Sequence, residues 1–170
     1  TTLFRSGLRI TAPPFDATIY GNYLDVINYG MIIKDALRLH VLENEIFSEG
    51  YGVVFKSSGS QVTFEKNKVY SYDTALLIRD IDNSVGGNAI LENILSGAPP
   101  IEVNDTASGI GLQINIFAGA GSICDSTTTN FNGNFWDEFT GAVPVTSSID
   151  IWDATYYYGA AGPSHSIDGS

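Results

Sequence analysis

Three of the eight basic residues in this chain, Lys34, Lys56 and Arg79, recur at intervals of 22 and 23 residues. Asp35, Ser57 and Asp80 follow them directly. Cations repeated along one face of an acidic protein can hold the carboxylates of a uronate polymer. A lysine or arginine there can also lower the pKa of a substrate α-proton in a β-elimination, with a second basic group as the base. The plainer reading of the same residues is a line of solvated ion pairs, Lys34–Asp35 and Arg79–Asp80.

A second constellation is Asp73, Asp80 and Asp82, around the longest insert between repeats, residues 80–87. Two carboxylates can act as acid and base in hydrolysis, or bind calcium together with backbone carbonyls. Loop aspartates are also ordinary turn formers. Calcium is the one ion for which the chain offers a place, and no other cofactor is expected. His40 and His165 have no histidine or cysteine at ligand spacing, so neither zinc nor copper is expected.

For three cations to share a face, the elements that carry them must repeat with the same period. An asparagine does so at Asn22, Asn44, Asn67, Asn93 and Asn115, with gaps of 22, 23, 26 and 22 residues. An apolar residue stands three positions before each: Ile19, Val41, Phe64, Ile90 and Leu112. A second apolar column reads Leu24, Ile46, Val69, Ile94 and Ile116, and a third Met31, Val53, Leu76, Ile101 and Ile123. A fourth holds Ile33, Phe55, Ile78 and Val103, and Asp125 breaks it. On this alignment the fourth and fifth coils are one residue shorter, with Asn-Ile (93–94 and 115–116) replacing Asn-X-apolar.

Apolar residues alternate within each unit, which means strands. Gly, Asn, Ser and Asp between them tolerate tight bends, and no ten-residue stretch carries a helical stripe. Three short strands per repeat predict an all-β solenoid, a parallel β-helix of five or six coils of 22–23 residues. Its strands stack about 4.8 Å apart. The five asparagines are then a structural ladder at one corner, bonded along the stack. Ser48, Ser71 and Ser96 form a similar structural column.

Strand parity sends Lys34, Lys56, Arg79 and Asn104 outward on successive coils if Met31 and Ile33 point inward. It also predicts two outward apolar stripes, Ile32–Val54–Leu77 and Phe47–Tyr70–Leu95–Phe117. Such stripes mark an oligomer or protein interface, or are covered by a tail such as Trp152 and Tyr156–Tyr158. Aromatic platforms also stack on sugar rings.

At 170 residues the chain suits one domain. Its hydrophobic content of 44% can fill a core. A net charge of −11 argues against nucleic acid and anionic membrane surfaces as partners. Cys124 is the only cysteine, so no intrachain disulfide forms, and small core filling is its expected role. No apolar run reaches the roughly 20 residues of a spanning helix, so membrane insertion is not expected, and no signal peptide is visible. Thr1–Ser6 matches one translated frame of a common sequencing adapter. The native sequence is therefore expected to begin near Gly7, as a fragment, with coils over 7–136 and a cap and tail over 137–170.

Tyr29-Gly30-Met31-Ile32-Ile33, Tyr51-Gly52-Val53-Val54-Phe55 and the Asn-X-apolar segments after them resemble right-handed parallel β-helix repeats of the pectate-lyase-like superfamily, in particular its NosD-like and surface-protein branches. Asn130 to Asp137 is similar to the Asn-aromatic-Trp segment that closes such helices, and Ser147 to Gly159 to the stretch that follows it. The resemblance implies the fold over roughly residues 8–159, and a secreted, periplasmic or cell-surface location. It does not imply one activity, because the superfamily holds lyases, hydrolases, epimerases, adhesins and scaffolds. The polygalacturonase signatures Asn-Thr-Asp and Gly-His-Gly and the Asp-Pro-His of alginate epimerases are missing. The expected function is thus a non-catalytic module that binds polysaccharide or has a structural or adhesive role. The alternative is a polysaccharide-active enzyme, a uronate lyase, epimerase or glycoside hydrolase, using the Lys34/Lys56/Arg79 face; Lys34, Lys56, Arg79, Asp80 and Asp82 are the expected substrate-binding residues, and no catalytic residue is assigned.

Overall fold

The computed structural model describes residues 4–11, 16–56, 61–79, 88–104, 110–120, 124–125, 134–140 and 152–153. These form an all-β parallel solenoid of about four turns, without a helix. A short sheet stacks Ala17–Tyr20, Leu39–Leu42, Thr63–Glu65, Asn88–Leu91 and Ile110–Gln113. A long sheet has two arms joined through the strand Tyr23–Lys34, whose ends belong to different arms. One arm continues with Tyr51–Lys56, Leu76–Arg79, Ile101–Asn104 and Cys124–Asp125, and Phe4–Thr11 pairs with Tyr23–Lys34. The other arm continues with Glu45–Ser48, Lys68–Ser71, Ile94–Gly97, Ile116–Ala120, Phe135–Thr140 and Trp152–Asp153. Every pairing is parallel, as coil-on-coil stacking requires. The turn count falls short of the five or six expected because the five rungs of the short sheet enclose only four intervals.

Register explains the core. Met31 pairs with Val53, Val53 with Leu76, and Leu76 with Ile101, and all four are fully buried. Ile33, Phe55, Ile78 and Val103 form the next inward row, and Val103 meets Asp125 at the predicted break. Val41, Phe64, Ile90 and Leu112 line the inside of the short sheet. Phe55 and Phe64 meet edge to face, with centroids 5.5 Å apart, and tie the two sheets together. The repeated Tyr-Gly has a packing cause. A Cβ on Gly30 would collide with the Ile46 side chain and the Gly52 carbonyl, and one on Gly52 with Val69 and the Ala75 carbonyl.

The predicted shortening of coils four and five does not occur. Leu95 pairs with Val69, and Phe117 with Leu95, so Asn-X-apolar holds throughout. Leu95 and Phe117 are fully buried, and Ile94 and Ile116 take the outward positions. Adjacent apolar pairs, Ile94-Leu95 and Ile116-Phe117, make parity ambiguous in sequence; stacking on Val69 decides it. The serine column changes likewise. Ser48 pairs with Ser71, but Ser96 aligns with Tyr70 on the outer face. The Ser48 hydroxyl donates to the Asn28 carbonyl at 2.9 Å and Ser71 to that of Gly50.

The asparagine ladder is complete and longer than expected. The Asn44 amide N–H and Nδ2 both donate to Asn67 Oδ1 at 2.9 Å. The same pair of bonds joins Asn22 to Asn44, Asn67 to Asn93, and Asn93 to Asn115. Asn134 adds a sixth rung, accepting from the Asn115 amide at 3.0 Å and its Nδ2 at 2.8 Å. Each rung from Asn22 to Asn115 follows a residue in the left-handed region: Gly21 at φ 65°, Glu43 at 52°, Lys66 at 55°, Glu92 at 55° and Ile114 at 58°. The ladder thus satisfies amides at a corner where strand pairing stops.

Candidate functional site

Two outer faces carry chemistry, one on each arm of the long sheet. On the first, Lys34, Lys56, Arg79 and Asn104 pair in register on successive coils, as parity predicts. Lys34 Nζ lies 3.4 Å from Asp35 Oδ2, and Lys56 is exposed. Arg79 is half-buried, and its buried Nε has no hydrogen-bond partner among the described residues. Asp80 and Asp82 lie outside the described residues, as do Ile123 and Tyr156–Tyr158.

The neighbouring row on this face is Ile32, Val54, Leu77 and Glu102. Parity predicts an exposed apolar stripe here, but Val54 and Leu77 are 7% and 3% exposed. Tyr29 and Tyr51 stack beside it, with centroids 5.6 Å apart and planes 9° from parallel. The Asp73 carboxylate raises the Tyr51 phenol pKa, reinforced by burial and by Glu102, while Arg79 lowers it. The Arg79 charge is therefore felt across the Leu77 row. The Thr74 hydroxyl donates to Glu102 Oε2 at 3.3 Å. Sequence reasoning finds Asp73 only as a loop carboxylate and misses Tyr51, Thr74 and Glu102, which come together only when three coils are stacked.

The second arm carries a groove of about 480 Å³ on its outer face. Tyr23, Phe47 and Tyr70 form an aromatic row along one side, with Phe47 and Tyr70 stacked and Tyr23 tilted 44° to Phe47. Centroids are 5.6 Å apart for Tyr23–Phe47 and 4.9 Å for Phe47–Tyr70, the latter with planes 15° from parallel. Register places Asp25, Phe47, Tyr70, Ser96 and Ala118 in one column. The stack therefore ends at Tyr70, since Ser96 is too short to cover the ring above it. Phe47 covers one face of Tyr70, and among the described residues no ring stacks on the other. Tyr72 is 82% exposed and Tyr23 65% exposed. Asp25, Val26, Glu49, Ser48, Ser71 and Ser96 also line the groove.

Parity predicts Phe47 and Tyr70 on an outward stripe with Leu95 and Phe117, but the latter two belong to the core. Val54, Leu77, Leu95 and Phe117 are thereby removed from the apolar surface expected for an oligomer interface. Sequence reasoning misses Tyr23, Asp25, Glu49 and Tyr72, although correct parity from Asn-X-apolar places Asp25 in the column of Phe47. No family model, curated protein or solved structure matches the chain.

Proposed function

We propose that this solenoid is a non-catalytic glycan-binding module of a secreted or cell-surface protein, and that its site is the Tyr23–Phe47–Tyr70 groove. The observation that carries this reading is Tyr70, stacked on Phe47 on one side and followed in register on the other by the small side chains Ser96 and Ala118. A pyranose ring buries its apolar face against such a ring at little entropic cost, because the platform is already held in place. Tyr72, Asp25 and Glu49 stand at the rim to meet sugar hydroxyls, as in a site that is mostly apolar with a few placed polar groups. The likeness of the repeats to pectate-lyase-like β-helices, on its NosD-like and surface-protein side, supports the extracellular placement. A glycan array probed with the chain and with Tyr70→Ala tests it. Signals lost in the variant support the groove; an array blank for both rejects glycan binding.

The second reading is the uronate enzyme on the other arm. The buried Nε of Arg79, without a partner among the described residues, in register with Lys56 and Lys34 and close enough to Tyr51 to lower its pKa, favours it. Growth of unsaturated-uronate absorbance on pectin or alginate, abolished by Arg79→Ala, would establish it. Unchanged array signals in Lys56→Ala/Arg79→Ala would remove the ladder as a binding site.

A further inference from the structure

The charge of the groove narrows the class of glycan, given the glycan-binding reading above. Asp25 and Glu49 are its carboxylates, and among the described residues no lysine, arginine or histidine lines it. Lys34, Lys56 and Arg79 lie on the other arm of the sheet, and Lys68, on this arm two residues before Tyr70, stands outside the lining in register with Glu45. A uronate polymer in the groove would bring its carboxylates beside two fixed carboxylates, on a protein of net charge −11. An ammonium group there meets opposite charges together with aromatic rings, and both attract it.

We infer that the groove takes a glycan bearing free amino groups, a glucosamine-type polymer, with one sugar ring on the side of Tyr70 away from Phe47 and ammonium groups toward Glu49 and Asp25. Phe47 and Tyr70 stack from one coil to the next, so their ring planes lie across the rod, and a sugar on that side of Tyr70 sits over Ser96 with its chain running across the coils. Glu49 and Tyr72, one step across from Ser48 and Ser71, stand on the opposite side of the groove. The tyrosines supply a ring platform that any pyranose can use, while the two carboxylates discriminate.

The test is calorimetric titration of the chain with three hexamers: glucosamine, N-acetylglucosamine and galacturonate. The glucosamine hexamer is expected to bind about tenfold more tightly than the N-acetylated one, as one or two partly screened ion pairs allow. That preference should vanish in Asp25→Asn/Glu49→Gln and shrink in high salt. Tyr70→Ala should weaken both hexamers. Equal binding of the two hexamers, or tightest binding of the galacturonate, overturns the inference and leaves the glycan-binding reading standing wherever Tyr70→Ala lowers affinity. Binding of none of the three hexamers, with some other glycan on the array bound instead, overturns it in the same way. If no glycan binds, the glycan-binding reading and this inference fall together. Glu49→Gln alone, folded by circular dichroism, guards against a variant that loses binding by unfolding.

Discussion

Asn67 shows how much of this fold rests on single side chains. It accepts from Asn44 twice through Oδ1, and its Nδ2 donates to Val41, Glu65 and Asn93, all in a fully buried position. Asn67→Ala leaves buried amide and carbonyl groups unpaired, so chemical denaturation should show a loss of about 3 kcal/mol. The residue before each rung carries the opposite opportunity. Ile114 is β-branched, 54% exposed and held at φ 58°. A left-handed conformation costs an L-residue about 1–2 kcal/mol. Ile114→Gly should therefore raise the melting temperature, the reverse of the usual effect of glycine. Tyr51 makes a pH prediction. Its raised pKa, due first to Asp73, keeps the phenol protonated in the folded state above the ordinary 10.0. The associated stability is present in full below the unfolded value and disappears as pH rises through the folded one. The 13Cζ resonance of Tyr51 should titrate above the ordinary range and move back down in Asp73→Asn; an unmoved midpoint would show that Asp73 is not the cause.

At the scale of the strand, the sharpest statement is parity. Ile94 and Leu95 are adjacent and both apolar, yet Leu95 is fully buried and Ile94 half-exposed. Leu95→Asp places an unpaired charge in the core and should abolish cooperative thermal unfolding. Ile94→Asp should shift it by a few degrees at most. Comparable damage from both would contradict the register. Here the reach of the sequence is visible. Asn22 to Asn115, with Ile19 to Leu112 three places before, reveal the period, the strands and the ladder. The 19-residue step to Asn134 hides the sixth rung, although Phe131 keeps the same offset. The basic row is legible because Lys34, Lys56 and Arg79 sit in coils whose apolar flanks are unambiguous. The groove is only partly legible, since reading Ile94 and Ile116 as inward misassigns the column that continues from Tyr70.

At the scale of the whole molecule, the solenoid separates two tasks. Its inside is one continuous apolar column with an asparagine seam, and its outside repeats a position every coil. Repetition lets a single residue type become a row: cations on one arm, aromatic rings on the other. The two rows make competing claims on function, and their separation allows a clean comparison. Isothermal titration of the best glycan from the array against the chain, Tyr70→Ala and Lys56→Ala/Arg79→Ala is the most direct test. Tyr70→Ala is predicted to weaken binding about tenfold, the scale of one lost ring contact, while Lys56→Ala/Arg79→Ala leaves it unchanged. Affinity that survives Tyr70→Ala and collapses in Lys56→Ala/Arg79→Ala would contradict the groove as the site and move it to the basic row.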